Sequence, residues 1–254
     1  MLTSIAPSPR TTGLSACLLF VFASCSEDKD MVRDSAALDR QMIPIMAMCG
    51  EGRIRDARQA ISALNSEWSL FVTTYRNYKP GDSLWRPGFA HMDSLMNEAN
   101  RFLSAEGALT RVLMRLRAVR AMLTQLRQRH GISYYLDLLD AFAEPLESLT
   151  RPALDPLMPV LSDSVVAQMQ AQIPLVQERW QAVLNARFEP GRYGFTARRN
   201  SERDSLLRAE TRALEHLSST LASGTRSEIA AAAEKAWYGC VALDNLFGNF
   251  EEKL

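Results

Sequence analysis

The stretch that decides the fold is LTRVLMRLRAVRAMLTQL, residues 109–126, because its apolar residues follow a regular helical spacing. They recur at alternating intervals of three and four residues, at Leu109, Val112, Leu116, Val119, Leu123 and Leu126. This a/d heptad pattern is typical of long helices that pack side by side. The stretch therefore predicts an amphipathic helix in a helical bundle.

Three further stretches carry the same pattern. Their a/d residues are Ile54, Ala57, Ile61, Leu64, Trp68, Phe71, Tyr75 and Tyr78; Val166, Met169, Ile173, Val176, Trp180 and Val183; and Ile229, Ala236, Cys240, Leu243, Phe247 and Phe250. Shorter amphipathic segments lie between them, at residues 35–48, 88–103, 132–149 and 201–221. Strand-like alternation of four or more residues is missing from the sequence, so the fold class is predicted to be all-α.

Two parts of the chain resemble each other. Trp68 is followed by an aromatic-x-Pro-Gly segment at residues 78–81, and Trp180 is followed by another at residues 188–191. An Asp-Ser-Leu triplet comes after each, beginning at Asp93 and at Asp204. A repeat of this kind indicates duplication of a helical unit. The alternative is chance similarity between two helices that contain Trp and Pro.

The repeat and the positions of Pro and Gly divide the chain into segments. We expect a first helical unit at residues 35–130 and a second at residues 163–254. A connecting helix and a Pro-rich linker occupy residues 131–162. The sequence thus predicts a bundle of two duplicated helical units.

The charge balance excludes one class of partner. The chain has 29 Lys and Arg residues against 29 Asp and Glu residues, which gives a formal net charge of zero. Binding of nucleic acid draws on a strongly basic surface. Nucleic acid is therefore not an expected partner.

The N-terminal residues indicate export. One positive charge, Arg10, precedes the apolar run at residues 13–23. That run has the length of a signal-peptide core and is shorter than the ~20 residues that a membrane-spanning helix needs. We expect residues 1–24 to be a signal peptide that is removed.

The end of this segment, Phe22-Ala23-Ser24-Cys25, resembles the lipobox of bacterial lipoproteins, although Phe22 replaces the more common Leu. The resemblance implies cleavage before Cys25, lipidation of Cys25 with fatty acids such as palmitate, and an outer-membrane lipoprotein of the bacterial cell envelope, facing the periplasm or the surface. The alternative is an ordinary signal peptide in which Cys25 has no role. Residues 25–34 are expected to form a polar tether, whose acidic start resembles the surface-export signal of lipoproteins from the Bacteroidetes group.

Two cysteines remain for the mature fold, Cys49 and Cys240. An oxidising compartment would allow them to form one disulfide bond. Each also lies in an apolar helical stretch, where a buried free thiol packs as a small hydrophobic group. Both alternatives stay open at this point.

The string Gly81-Asp82-Ser83-Leu84 resembles the block that names a family of serine esterases and lipases. In that family an Asp-x-x-His block supplies the base, but none of His91, His130 and His216 has Asp three positions before it. A serine without a base is not an effective nucleophile. Asp or Ser after a Pro-Gly turn also starts helices, so we expect a helix cap and predict no catalytic residue.

Metal and cofactor motifs are also missing from the sequence. No Glu-x-x-His, His-Glu-x-x-His or Cys-x-x-Cys-His pattern occurs. A non-covalent haem held between Met and His stays open, but Met at helical spacing is more often part of a core. No metal site and no cofactor are predicted.

A row of carboxylates is the one charged feature that suggests binding. Asp137, Asp140, Glu144 and Glu147 recur at intervals of three and four, which places them on one face of a helix. They could receive a cation or a basic partner, form a solvated face, or pair with the arginines of the preceding helix. Those arginines are Arg111, Arg115, Arg117, Arg120, Arg127 and Arg129.

Aromatic residues gather near the predicted turns, at Trp85, Phe89, Tyr134, Tyr135 and Tyr193. They either form a recognition surface or, as we expect, cap the ends of the core.

These observations predict a membrane-tethered envelope lipoprotein with a non-catalytic binding or structural role. Its partners would be the membrane, through lipid on Cys25, and an envelope protein or glycan. The alternatives are a periplasmic helical-bundle carrier of a metal, a haem or an apolar small molecule, and an enzyme with an unfamiliar site.

Overall fold

The structure of the protein is a computed structural model that describes residues 16–104, 108–158 and 160–250, with side chains from residue 30 onward. These residues form α-helices and one short 3-10 helix, Pro190–Tyr193, and contain no β-strand. The α-helices are α1 (Ala16–Gly50), α2 (Ile54–Tyr75), α3 (Trp85–Ser104), α4 (Leu109–Arg129), α5 (Tyr135–Leu154), α6 (Asp163–Asn185), α7 (Ala197–Ser223) and α8 (Arg226–Asn245). The prediction of an all-α helical bundle is confirmed.

The helices form two groups of four with the same order of contacts. In the first group α1 packs on α2 and α4, and α3 packs on the same two helices. In the second group α5 packs on α6 and α8, and so does α7. Each group is thus a four-helix ring in which chain neighbours lie side by side. The duplication of a helical unit stays a prediction from the sequence. We call α1–α4 the first unit and α5–α8 the second unit.

The predicted a/d residues form the core. On α4, Val112, Leu116 and Val119 are fully buried, and on α6, Met169 and Val176 are almost completely buried. Burying these side chains supplies most of the stability of such helices, because isolated helices of this length are marginal in water. Phe250, the last residue of the a/d series, lies beyond the end of α8 and is exposed.

The two repeated tryptophans hold equivalent places. Trp68 on α2 donates from Nε1 to Asp93 Oδ1 on α3 at 2.9 Å. Trp180 on α6 donates from Nε1 to Thr211 Oγ1 on α7 at 3.0 Å. The role of the indole N–H is kept between the units, but its acceptor is not Asp204, which pairs instead with its neighbour Arg203.

Two boundaries differ from those expected. Met31 and Val32 are buried, so the packed part of α1 begins inside the segment that we expected to be a polar tether. Helix α5 was expected to be a connection, yet Phe142 and Leu146 are fully buried against the second unit. Both boundaries differ for the same reason. Helices α1 and α5 each pack their apolar side chains on two other helices of their ring, so neither is a tether or a connection. None of the described helices combines the length and apolar character needed to cross a membrane.

Candidate functional site

The esterase-like string starts a helix. Asp82 Oδ1 accepts a hydrogen bond from the backbone N–H of Leu84 at 2.9 Å, just before α3 begins. Its other oxygen, Oδ2, lies 2.8 Å from His130 Nε2 and 3.1 Å from Arg129 Nε at the end of α4. The hydrogen bond from Leu84, with that to His130, lowers the pKa of Asp82. Asp82 therefore stabilises the turn that leads into α3 and joins this turn to the end of α4. Ser83 and Asp82 both lie before Trp85, the first residue of the helix.

The remaining candidates for chemistry do not assemble. Ser83 is exposed, and its side chain makes no hydrogen bond to the described part of the chain. His91 is exposed on α3, and His216 lies on α7 of the other unit. Among the described residues, no group of three or more His, Cys, Asp or Glu side chains is placed to hold a metal ion.

The carboxylate row does meet the arginine row. On α5, Asp137 receives two hydrogen bonds from Arg127 of α4, at 3.0 Å and 2.5 Å. Asp140 pairs with Arg120 of α4 at 3.0 Å. The two other members of the row do not pair with arginines of α4. Glu144 is exposed, and Glu147 pairs with Arg151 one turn further along α5. The carboxylate row therefore begins at the buried Asp137 and reaches solvent at Glu144.

Arg120 is the buried centre of a partly buried group of charges. Besides Asp140, its guanidinium lies 3.6 Å from Asp39 of α1 and 3.1 Å from Asp244 of α8. Asp39 also accepts a hydrogen bond from the hydroxyl of Tyr134 at 2.7 Å. One guanidinium therefore faces three carboxylates, and negative charge is in excess. We call Arg120, Asp39, Asp140 and Asp244 the charged floor.

Sequence reasoning missed two members of the charged floor. Asp39 and Asp244 lie on helices far along the chain from Arg120, and only the packing of α1 and α8 against α4 and α5 brings them together. The available signal was that Asp39 follows Leu38 and precedes Met42 on the apolar face of α1. A carboxylate on such a face needs a buried partner.

Burial changes the acidity of this group. It raises the pKa of Asp140 to about 7, an effect that Arg120 opposes and that Asp244 and Asp39 increase. Burial also raises the pKa of Asp39, against the opposing effect of Arg120 and Arg127. The charge of the floor therefore changes near neutral pH.

The charged floor opens into a cleft between the two units. The cleft has a volume of about 860 Å³. Its walls come from α1 and α4 on one side and from α5 and α8 on the other. Its ionisable lining consists of six carboxylates and two arginines: Glu51, Asp137, Asp140, Glu144, Glu147 and Asp244, with Arg117 and Arg120. Trp237 and Tyr238 of α8 add aromatic surface, and Tyr238 is 62% exposed.

Cys240 lines this cleft as a buried thiol. It is free, as is Cys49, so the disulfide that the sequence left open is absent from the structure. Burial raises the pKa of Cys49 to about 11, and burial, with Glu210, raises that of Cys240. Since the thiolate is the reactive form, both cysteines act as small apolar side chains in the core.

The aromatic residues near the turns are buried, as expected for caps of the core. Trp85 and Phe89 are fully buried in the first unit. Tyr134 and Tyr193 stack with their ring centroids 5.7 Å apart, and Tyr135 donates its backbone N–H to the Tyr193 hydroxyl. Of the two aromatic residues that line the cleft, Tyr238 is the exposed one, and the sequence analysis did not select it.

The side chain of Cys25, the expected lipidation site, lies outside the described part of the structure. Residues 1–15 of the expected signal peptide lie outside the described residues. The lipobox residues 22–25 fall in α1, but their side chains lie outside the described part of the structure. Comparison of the chain with protein-family models, with curated proteins and with solved structures finds no match.

Proposed function

We propose that the protein is a non-catalytic binding protein of the bacterial cell envelope that receives its partner in the cleft between its two units. The observation that carries this proposal is the cleft itself, about 860 Å³ in volume. Ligand sites of proteins have volumes of about 300 to 1,000 Å³ and often lie between domains or between helices. The cleft has that size and that position.

The composition of the cleft walls also supports binding. Apolar side chains such as Ile43 and Leu139 alternate with carboxylates, and Tyr238 presents an aromatic ring to solvent at the edge. Aromatic side chains are enriched where proteins contact partners. The carboxylates of the charged floor are held in ion pairs with Arg120. Such groups suit recognition of a partner by charge more than chemical attack on a substrate.

A lipid on Cys25 would hold this cleft at a membrane. The support comes from the lipobox-like sequence Phe22-Ala23-Ser24-Cys25 and the apolar run before it. The packed helix begins near Met31, so only a few residues would separate the lipid from the bundle. The protein would therefore work close to the membrane surface, on a component of the envelope.

Filling the cleft should remove binding. Ala121 lines the cleft and is exposed, so Ala121→Trp should place an indole in it without disturbing the core. Ala182 on α6 is equally exposed and lies away from the cleft, so Ala182→Trp is the matched control. In affinity purification from native envelopes, we expect a component that the wild type and Ala182→Trp retain and that Ala121→Trp loses. Equal retention by the three proteins would contradict the proposal.

The tether is tested with Cys25→Ala. We expect the wild type to sediment with membranes and to carry the added mass of fatty acids, because diacylation gives stable anchoring. The variant should lack that mass and leave the membrane fraction after carbonate washing. If both proteins had the mass of the unprocessed chain and sedimented alike, the lipoprotein proposal would be wrong.

A further inference from the structure

We infer that the partner enters the cleft with a basic peptide segment, one that carries Lys or Arg side chains on an extended backbone. This inference rests on the proposed function of the cleft and adds the chemistry of what it binds. It follows from three features of the cleft: its charge, the arrangement of that charge and its unpaired amide side chains.

The charges that line the cleft favour a positively charged occupant. Six carboxylates and two arginines line the cleft. Three of the acids, Glu51, Asp137 and Glu147, already pair with arginines outside the lining. Glu144 has no arginine partner in the described part of the chain, and Asp140 and Asp244 share Arg120 with Asp39. Asp140 and Asp244 still face solvent, with 39% and 30% of their side-chain surface exposed. Attraction between opposite charges is strongest where water is partly excluded, as at the bottom of a cleft. A cationic group placed between Asp140 and Asp244 would offset the excess negative charge.

The carboxylates form a path and not a single point. Along α5, Asp140 is followed by Glu144 and Glu147 on the same face, so the acids rise from the floor to the rim. At 1.5 Å per residue of helix, this path is about 10 Å long. Apolar side chains such as Ala143 lie between the acids, where the methylene groups of long basic side chains can pack. The cleft therefore suits an elongated occupant with more than one positive charge.

The amide side chains favour a peptide over a simple amine. Gln125, Gln128 and Asn245 line the cleft, and their side chains make no hydrogen bond to the described part of the chain. Each has an NH2 group that donates and an oxygen that accepts. A peptide backbone offers both carbonyl and N–H partners to these groups. A polyamine offers donors alone, so it could pair only with the amide oxygens. Gln125 and Gln128 are exposed, and their NH2 groups would then keep water as the acceptor.

Isothermal titration calorimetry of the full chain with a blocked tetralysine peptide tests the inference. We expect saturable binding of tetralysine that weakens as salt increases. Spermine, which matches the charge of tetralysine but has no amide groups, and blocked tetraglutamine, which has the backbone but no charge, should each bind at least about tenfold more weakly. Equal binding of spermine and tetralysine would overturn the peptide inference and leave an amine site.

Matched variants locate the binding. The double variant Glu144→Gln and Glu147→Gln removes the exposed charge of Glu144 and the half-buried charge of Glu147, which pairs with Arg151, and should weaken tetralysine binding about tenfold. The control, Glu215→Gln and Glu234→Gln, removes two exposed charges elsewhere and should bind like the wild type. If both double variants bound tetralysine equally, the site would lie outside the cleft and the inference would be wrong.

The pH profile is a second readout. Lys stays ionised between pH 6 and 8, whereas burial raises the pKa of Asp140 to about 7, with Arg120 of α4 opposing and Asp244 of α8, Asp39 of α1 and Asp137 of α5 adding to it. Binding of tetralysine should therefore tighten from pH 6 to 8. Weaker binding at pH 8 would contradict a cation held by Asp140.

The two proposals fail separately. If tetralysine did not bind but Ala121→Trp still lost the envelope component, the inference about basic peptides would be wrong and the cleft would remain the binding site. If Ala121→Trp also retained the component, the proposed function itself would be wrong.

Discussion

Arg120→Met should destabilise the protein by about 3 to 5 kcal/mol at pH 8, as expected when one member of a buried ion pair is removed. Only 8% of the Arg120 side chain is exposed, and it lies between Asp39, Asp140 and Asp244. Methionine fills similar space but leaves three carboxylates close together without a cation. The free energy of unfolding, measured with urea, reports this loss.

The effect of Arg120→Met should depend on pH in a defined direction. Without the guanidinium, the pKa values of Asp39 and Asp140 rise further above those of the unfolded chain. Groups with a raised pKa in the folded state contribute stability at low pH and lose it as pH increases. The difference from the wild type should therefore be smaller at pH 5 than at pH 8.

Arg115→Met provides the matched control on the same helix. Arg115 pairs with Glu98 at 2.6 Å, but about a third of each side chain is exposed, at 34% and 32%. Exposed pairs of this kind contribute about 0 to 1 kcal/mol. A loss for Arg120→Met no larger than that for Arg115→Met would mean that the charged floor does not hold the two units together.

Glu210→Gln should stabilise the protein at alkaline pH. Glu210 on α7 is fully buried, and neither carboxyl oxygen has a hydrogen-bond partner in the described part of the chain. It lies against Gly239 of α8, where a larger residue would collide with its Oε2. Burial raises its pKa from 4.5 to about 8. The folded protein therefore carries this carboxyl as a neutral acid at neutral pH.

The sign of the pH dependence follows from that raised pKa. The contribution of neutral Glu210 to the free energy of unfolding is fully present below pH 4.5, and it is lost as the pH rises toward 8. At about 1.4 kcal/mol per pH unit, the wild type should fall behind Glu210→Gln by on the order of 4 kcal/mol at pH 9. At pH 4.5 the two proteins should be similar, since both carry a neutral group of nearly the same shape.

Urea unfolding at pH 4.5, 7 and 9 measures this difference. Glu215→Gln, at an exposed position of the same helix, should follow the wild type at every pH. A difference between wild type and Glu210→Gln that stayed constant with pH would show that Glu210 does not titrate in the folded protein.

The sequence predicted the helices and the core because both depend on local spacing. The a/d pattern placed Val112, Leu116 and Val119 in the core, and they are fully buried. The repeat placed Trp68 and Trp180 in equivalent positions on the second helix of each unit. It did not predict the acceptors of the two indole N–H groups, Asp93 Oδ1 and Thr211 Oγ1, because these depend on how the third helix of each unit packs on the second.

The cleft could be predicted only in part. The spacing of acids on α5 and arginines on α4 indicated that neighbouring helices pair, and Arg127 and Arg120 do pair with Asp137 and Asp140. The contribution of Asp244 depends on how α8 closes the second ring against α4, a long-range contact that no local pattern contains. The same holds for Tyr238, whose exposure follows from the space left between the units.

Photo-crosslinking in the native envelope tests the central claim, that the partner lies in the cleft between the units. Tyr238 lines the cleft and is 62% exposed, and Leu70 on α2 lies away from the cleft and is 63% exposed. Benzoylphenylalanine is placed at one position or the other, so the two probes are matched in exposure. Irradiation should link a discrete envelope component to the probe at position 238 and not to that at position 70. Equal crosslinking from both positions, or none from position 238, would contradict the claim.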